Sequence, residues 1–74
     1  MNKYYYTFGS DPQFPYRYGH VVVKAESWKE SHMKFRTRFP DRQGHEGIIN
    51  CAFFYDESHW TPDPLLEPCW EVIE

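Results

Sequence analysis

The fold is decided by the stretch His20-Val21-Val22-Val23-Lys24-Ala25-Glu26-Ser27-Trp28-Lys29-Glu30. Its first half is rich in β-branched residues, which are typical of a strand. In its second half, Ser27 and Glu30 have the spacing of a capping box. In such a box the serine hydroxyl accepts from the N3 amide while the Glu30 side chain reaches back to the cap amide. A strand that is followed at once by a capped helix predicts a domain of the α+β class.

The predicted helix extends to about Phe39, because Pro40 disfavours a helical conformation in the residue before it. Its apolar stripe lies on one helix face and consists of Ala25, Trp28, His32, Phe35 and Phe39. His32 is the polar member of this stripe. We interpret it as a helix-edge histidine that bonds a loop carbonyl, with Met33 facing the core. The alternative is a buried, pH-sensitive contact.

Three further segments are predicted to be strands: residues 3–8, 48–55 and 69–73. The run at 48–55 is apolar almost throughout, which predicts a central strand. Short helical turns are predicted to begin at Asp56-Glu57-Ser58 and at Thr61-Pro62. The predicted order is β-β-α-β-turn-β in a single domain, residues 1–74. It forms a small antiparallel or mixed sheet of three or four strands, with one main α-helix packed on one face.

One helix covers only one face of such a sheet, so the other face needs a different cover. On the first strand, Tyr4, Tyr6 and Phe8 alternate with Tyr5 and Thr7, and the first set is predicted to face the helix. The third strand is apolar on both faces. The second face is therefore either covered by the proline-rich tail, with Trp60, Leu65 and Leu66, or buried in a homodimer.

The charge balance argues against nucleic acid as a partner. The chain has 11 acidic and 8 basic residues and a net charge of -3, whereas phosphate-backbone binding needs clustered cations. The basic residues concentrate in the middle of the chain and the acidic ones in the tail, which predicts solvated faces that attract each other. The chain shows neither a signal-peptide pattern nor an apolar run of membrane-spanning length, so a cytoplasmic protein with reduced thiols is expected.

No motif indicates catalysis or metal binding. The four histidines and two cysteines lack the short spacings of a zinc site. Cys51 lies between apolar residues, which predicts a buried core thiol and a poor nucleophile. An enzyme that uses Cys51 or a histidine is thus the weakest reading, and we predict no catalytic residue, metal or cofactor.

The loop at Asp11-Pro12-Gln13-Phe14-Pro15-Tyr16 is the best candidate site, within a stretch where seven of the fifteen residues from Tyr4 to Tyr18 are aromatic. Its prolines restrict the chain, so a contact surface there loses little entropy on binding. Aromatic rings beside a planar cation suit protein hot spots and also nucleobases. Alternatively, the rings fold back over the sheet as a lid. The candidate binding residues are Tyr5, Asp11, Phe14, Tyr16, Arg17, Tyr18, Arg36 and Arg38.

Several motifs give the chain a resemblance to a known group. They are Tyr-Tyr-Tyr-Thr-Phe-Gly-Ser-Asp-Pro-Gln-Phe-Pro-Tyr at 4–16, Val-Val-Val-Lys-Ala at 21–25, the Phe-x3-Phe-Pro-Asp-Arg motif within 35–42 and Ile-Asn-Cys-Ala-x-Phe-Tyr within 49–55. The chain resembles a group of short, uncharacterised proteins of phages and mobile elements of Firmicutes bacteria. The resemblance implies a small accessory protein, a class that includes inhibitors of host defence, and it implies no functional residue.

The leading hypothesis is therefore a small non-enzymatic binding protein of phage or mobile-element origin. It would engage a host protein in the bacterial cytoplasm, such as a defence or regulatory component, and form a homodimer. One alternative is a nucleotide or small-ligand binder, in which the rings stack on a base while Arg17, Lys34, Arg36 or Arg38 meets phosphate. Another is a structural protein without a ligand.

Overall fold

The computed structural model describes residues 1–60 and 68–74. Within them it has four strands, one α-helix and one short 3₁₀ turn at Glu57–His59. The main elements are β1 (Asn2–Thr7), β2 (His20–Ala25), α1 (Trp28–Arg38), β3 (Phe53–Asp56) and β4 (Cys69–Ile73). The predicted turn after Asp56 is confirmed, with the Asp56 carboxylate accepting from the His59 amide as its cap. The turn predicted at Thr61-Pro62 lies outside the described residues.

The strands form one mixed sheet in the order β3-β1-β2-β4. β1 is antiparallel to both β2 and β3, and β2 is parallel to β4. The α+β class, with one helix packed on one face of a four-stranded sheet, is thereby confirmed. β2, which carries the β-branched run, pairs with β1 on one side and β4 on the other. Its backbone bonds are thus satisfied in a strand that is buried almost throughout.

The prediction that residues 48–55 form a central strand is wrong. β3 begins only at Phe53 and lies at an edge of the sheet. The residues before it turn tightly, since the Cys51 amide donates to the Ile49 carbonyl at 2.9 Å. Gly47 precedes them with a φ of 92°, a left-handed conformation that favours glycine. The apolar run is therefore a loop that inserts Cys51 into the core and leaves Ile48 exposed.

Aromatic side chains of β1 and of Phe8, the residue directly after it, form the core beneath the helix, as the alternation predicted. Tyr4, Tyr6 and Phe8 are all buried. The Tyr6 ring stacks on Phe35 of α1 at a centroid distance of 4.3 Å, and Tyr4 packs on Trp28 at 4.5 Å. Such pairs add about 0.5–1.5 kcal/mol each to the stabilisation from buried area.

A buried polar network fixes the helix against β1. The Tyr6 hydroxyl is hydrogen-bonded to Ser31 Oγ and lies 2.7 Å from His32 Nδ1. All three groups are satisfied when Tyr6 donates to neutral His32 and accepts from Ser31. The interpretation of His32 as bonding a loop carbonyl is therefore wrong, and so is the placement of Met33 in the core, since Met33 is 61% exposed.

The helix begins and ends where the sequence predicts, but only the serine half of the capping box forms, because the Glu30 carboxylate pairs with Lys34 at 3.3 Å. Ser27 Oγ accepts from the Glu30 amide at 3.2 Å, and the Phe39 amide closes the last turn on the Phe35 carbonyl. The basic middle and the acidic tail do meet, because the Arg38 guanidinium pairs with Glu71 of β4 at 3.0 Å. Exposed pairs of this kind contribute only about 0–1 kcal/mol, so packing dominates stability.

The His32 contact predicts a pH dependence of stability. Burial, followed by the nearby Arg36 charge, lowers the pKa of His32 from its ordinary value of 6.5. The unfolded chain therefore takes up this proton first. The contribution of neutral His32 to the free energy of unfolding is complete above the pKa of His32 in the unfolded chain. It is lost as the pH falls toward the lower pKa of His32 in the folded protein.

Urea unfolding of the wild type and of His32→Gln across this range measures the effect. We expect the free energy of unfolding of the wild type to fall more steeply on acidification than that of the variant, which keeps an acceptor for Tyr6 but does not titrate. Parallel slopes for the two proteins would contradict the assignment.

Candidate functional site

The loop between β1 and β2 is closed by its own hydrogen bonds. Asp11 Oδ1 accepts from the Gln13 amide at 2.9 Å, and the Asp11 carbonyl accepts from Phe14 at 3.3 Å. The Tyr18 amide donates to the Gly9 carbonyl at 2.7 Å, which joins the two ends of the loop. Asp11 thus serves the turn itself, as its type commonly does.

Tyr16 folds back onto the core, so the lid interpretation is correct for this ring. Its edge contacts with Phe8 and Phe39 have centroid distances of 5.7 and 5.8 Å. Its outer face is covered by Trp70, whose ring is stacked at 5.3 Å with an interplanar angle of 8°. Tyr16 therefore anchors the loop and is half-buried.

Phe14 is also half-buried, and a cation from another loop covers it. The Arg42 guanidinium lies 5.0 Å from the Phe14 ring centroid, within cation–π range. Arg42 Nη1 also donates to Gln13 Oε1 at 2.5 Å. These two contacts link the two loops. Neither partner carries a charge, so the contacts leave the positive charge of Arg42 without a carboxylate.

A β-bulge brings Trp70 over the loop. His20 pairs with Cys69 and Val21 with Glu71, so Trp70 is the extra residue between them. Its Nε1 donates to the Tyr18 carbonyl at 2.5 Å. Gly19 makes room for the indole, because a Cβ there would lie 2.4 Å from both Trp70 Nε1 and the Pro68 carbonyl.

Arg17 and Tyr18 are the part of the loop that projects outward. Arg17 is exposed and forms no hydrogen bond or ion pair with any described residue, while Tyr18 is 56% exposed. Tyr18 has a φ of 61°, which is unusual and strained for a bulky residue. Its amide bond to Gly9 and its carbonyl bond from Trp70 hold this conformation.

The remaining predicted candidates lie elsewhere. Arg36 pairs with Asp41 at 3.0 Å and donates to the Gly47 carbonyl, bracing the loop after the helix. Arg38 pairs with Glu71 and lies over Phe39, at the base of the aromatic loop. The structure thus brings Asp11, Phe14, Tyr16, Arg17 and Tyr18 together and commits the two helix arginines to internal contacts.

Tyr5 lies on the opposite face of the sheet. Its ring is stacked on Trp60 at 4.8 Å, and Trp60 also packs on His20 at 4.9 Å. Trp60 therefore covers part of this face, as expected. Leu65 and Leu66, expected to share that role, lie outside the described residues. Phe53, on the same face, is 65% exposed.

The two thiols differ sharply in environment. Cys51 is 7% exposed, and burial raises the pKa of its thiol to about 12, as expected of a core residue. Cys69 is exposed at the start of β4. Across residues 1–60 and 68–74, no three side chains of the His, Cys, Asp and Glu types come close enough together to hold a metal ion.

Three residues that shape the loop were not predicted. Trp70 and Arg42 are distant in sequence, and nothing local marks them as its neighbours. Gly19 lies directly before the β-branched run of β2. A glycine at such a position can indicate that another part of the chain packs closely on the backbone there, and it was the one local signal of the Trp70 contact.

Comparison of the chain with protein-family models, curated proteins and solved structures found no significant match. In the part of the chain that the structure describes, the helix is too short and too polar to cross a membrane.

Two glycine variants test the Trp70 contact. Gly19 and Gly44 both have positive φ, but only Gly19 faces a close neighbour. Gly44→Ala should cost about 1–2 kcal/mol from backbone strain alone. Gly19→Ala should lower the free energy of unfolding by about 1–3 kcal/mol more than Gly44→Ala does, because the added Cβ overpacks against Trp70 and Pro68. Urea denaturation of both measures the difference, and equal losses would contradict the contact.

Thiol reactivity tests the two cysteine environments. In the native chain, iodoacetamide should modify Cys69 readily and leave Cys51 protected, because only the accessible thiol can form a reactive thiolate. Mass spectrometry of the digested protein locates the label, and unfolding in urea supplies the control in which both thiols react. Native labelling of Cys51 at the rate of Cys69 would show that the Cys51 site is open.

Proposed function

We propose that the chain is a small non-enzymatic binding protein that engages another protein through residues 11–18 and the adjoining Trp70. The observation that carries this proposal is the presentation of Arg17 and Tyr18. Both side chains project into solvent from a loop whose other rings are anchored. Tyrosine, tryptophan and arginine are the residue types that dominate protein-binding hot spots.

The loop is held in place before any partner arrives. Tyr16 is packed between the core and Trp70, and Phe14 is fixed beneath Arg42. Ordering a flexible side chain at an interface costs about 0.5–1.5 kcal/mol, which a fixed loop avoids. Strained backbone conformations such as that of Tyr18 cluster at ligand clamps and other functional sites. The anchored rings and the strained Tyr18 backbone therefore support a preorganised binding surface in this loop.

The charges around the loop favour an acidic partner surface. Arg17 has no ion pair among the described residues, and the described polar contact of Arg42 is the neutral amide of Gln13. Arg17 directly precedes Tyr18, and Arg42 lies over Phe14. These two cations outnumber the Asp11 carboxylate, which is the acidic group of residues 11–18. Complementary charge steers encounter and fixes orientation more than it raises affinity, so binding should weaken with salt mainly through the association rate.

The resemblance to phage and mobile-element proteins supports a bacterial host as the source of this partner. In the full proposal, the chain is an accessory protein that occupies a host defence or regulatory protein in the cytoplasm. The predicted homodimer stays a prediction, and exposed Phe53 and Val72 on the sheet face opposite the helix are the apolar surface that suits it.

The nucleotide-binding alternative has less support. Three of the four cations that would meet phosphate are already bonded within the chain. Arg36 pairs with Asp41, Arg38 with Glu71, and Lys34 with Glu30 at 3.3 Å. Release of these contacts would offset part of any binding energy, and Arg17 alone makes a weak phosphate site.

Affinity capture from bacterial lysate tests the proposal with matched variants. The double variant Arg17→Gln/Tyr18→Gly removes the exposed cation and ring, and glycine accepts the φ of 61° without strain. Met33→Ala removes an equally exposed apolar side chain from the helix and serves as the control. We expect a protein that the wild type and Met33→Ala recover and the double variant loses at least about tenfold, the loss of one hot spot.

Equal recovery by all three proteins would place the contact elsewhere. Recovery of no protein at all, from lysates of several Firmicutes hosts, would count against a binding function. Circular dichroism of the double variant checks that it is folded.

A further inference from the structure

A second aromatic surface lies at the other end of the sheet, beside the start of α1. Trp28, the first residue of the helix, packs edge-on against Phe54 of β3 at 5.3 Å. Phe54 remains 43% exposed despite this contact. The two rings border a hollow of about 370 Å³, lined by Trp28, Phe54, Tyr55, Asp56 and His59. This volume lies at the low end of the range for ligand pockets, about 300–1,000 Å³.

Two carboxylates lie at the same corner: Asp56, which pairs with the His59 imidazole, and Glu57, which accepts from the Lys3 amide. Asp56 Oδ1 accepts from the His59 amide, from His59 Nδ1 at 2.7 Å and from Ser58 Oγ at 2.9 Å. Asp56 Oδ2 has no bond to a described residue. The hydrogen bonds from His59, then that from Ser58, lower the pKa of Asp56 from its ordinary value of 3.8. An adjacent hollow of about 380 Å³ shares Trp28 and Asp56 and adds one acidic and one basic residue, Glu57 and Lys3.

We propose that this hollow, bordered by Trp28, Phe54 and Asp56, is a binding site for an organic cation such as an alkylammonium group. Tryptophan attracts a cation more strongly than any other aromatic side chain. Tyr4, His32 and Phe54 pack on Trp28, and the Trp28 residue also lines the hollow. A carboxylate at the rim adds charge that a neutral ligand cannot use. The site is independent of the loop at residues 11–18, which lies beyond the opposite end of β1.

The acidic groups prefer this ligand class over an anion or a purely apolar guest. Asp56 and Glu57 repel phosphate or carboxylate. The nearby basic residues are Lys3, whose backbone amide donates to Glu57 Oε1 at 2.8 Å, His59, which pairs with Asp56, and His32, whose ring packs on Phe54 at 4.9 Å. A soft cation can contact the ring faces and still lie near Asp56 Oδ2.

Choline is a suitable probe because 3,3-dimethylbutan-1-ol has the same shape without the charge. At about pH 8, above the unperturbed imidazole pKa of about 6.5, each compound is titrated into the isotopically labelled full chain. The three indole N–H signals, from Trp28, Trp60 and Trp70, report where it binds. We expect choline to shift the Trp28 signal saturably while the neutral alcohol shifts it at least threefold less at the same concentration, roughly the effect of one surface charge pair.

Asp56→Asn provides the matched variant, because asparagine also caps helical turns and keeps the 3₁₀ turn in place. It should weaken choline binding by about three- to fivefold. Equal shifts with choline and the alcohol, a saturable shift at Trp70 instead of Trp28, or unchanged binding by Asp56→Asn would each overturn the proposal. If the variant does not fold, the comparison of choline with the alcohol on the wild type still decides it.

Discussion

The structure depends on the contact of Tyr6 with α1. Its ring stacks on Phe35, and its hydroxyl meets Ser31 and His32. The stack sets the distance between strand and helix, and the hydroxyl contacts fix their register, because a buried hydroxyl without a partner costs about 1–3 kcal/mol. With only one helix in the described chain, the position of this contact decides which sheet face is covered.

Once α1 is fixed, the surplus aromatic rings divide by position. Trp60 partly covers the far face by stacking on Tyr5. Beyond the end of β1, Tyr16 closes the helix-side core and Trp70 covers Tyr16. Tyr18 is left outside on a strained backbone. The two proposed surfaces lie at the border of the helix-side core. One surrounds Arg17 and Tyr18, and the other surrounds Trp28 and Phe54 beside two carboxylates.

Local signals in the sequence were enough to predict most of the fold. The β-branched run of β2 and the Ser27 cap define a strand followed by a helix, and their positions agree with the structure. The exception is the apolar run before Phe53, because apolar character alone does not separate a central strand from a buried loop. Met33 was misplaced by one position, which on a helix moves a side chain by roughly 100°.

The candidate site was predictable only in part, for a physical reason. Prolines and clustered rings identified the loop, but which rings are anchored depends on Trp70 and Arg42, and these contacts span 54 and 28 residues of sequence. In the sequence, Arg36 and Arg38 looked as available for ligand binding as Arg17. In the structure they form ion pairs with Asp41 and Glu71 instead.

The central claim is that this loop is ordered in the free protein by packing, so that Arg17 and Tyr18 are held ready for a partner. Backbone ¹⁵N relaxation of the free chain tests it most directly. The account predicts order parameters for residues 16–19 close to those of β1 and β2, at about 0.85. Values below about 0.6 at these residues would contradict it, because the loop would then be flexible on the ps–ns timescale.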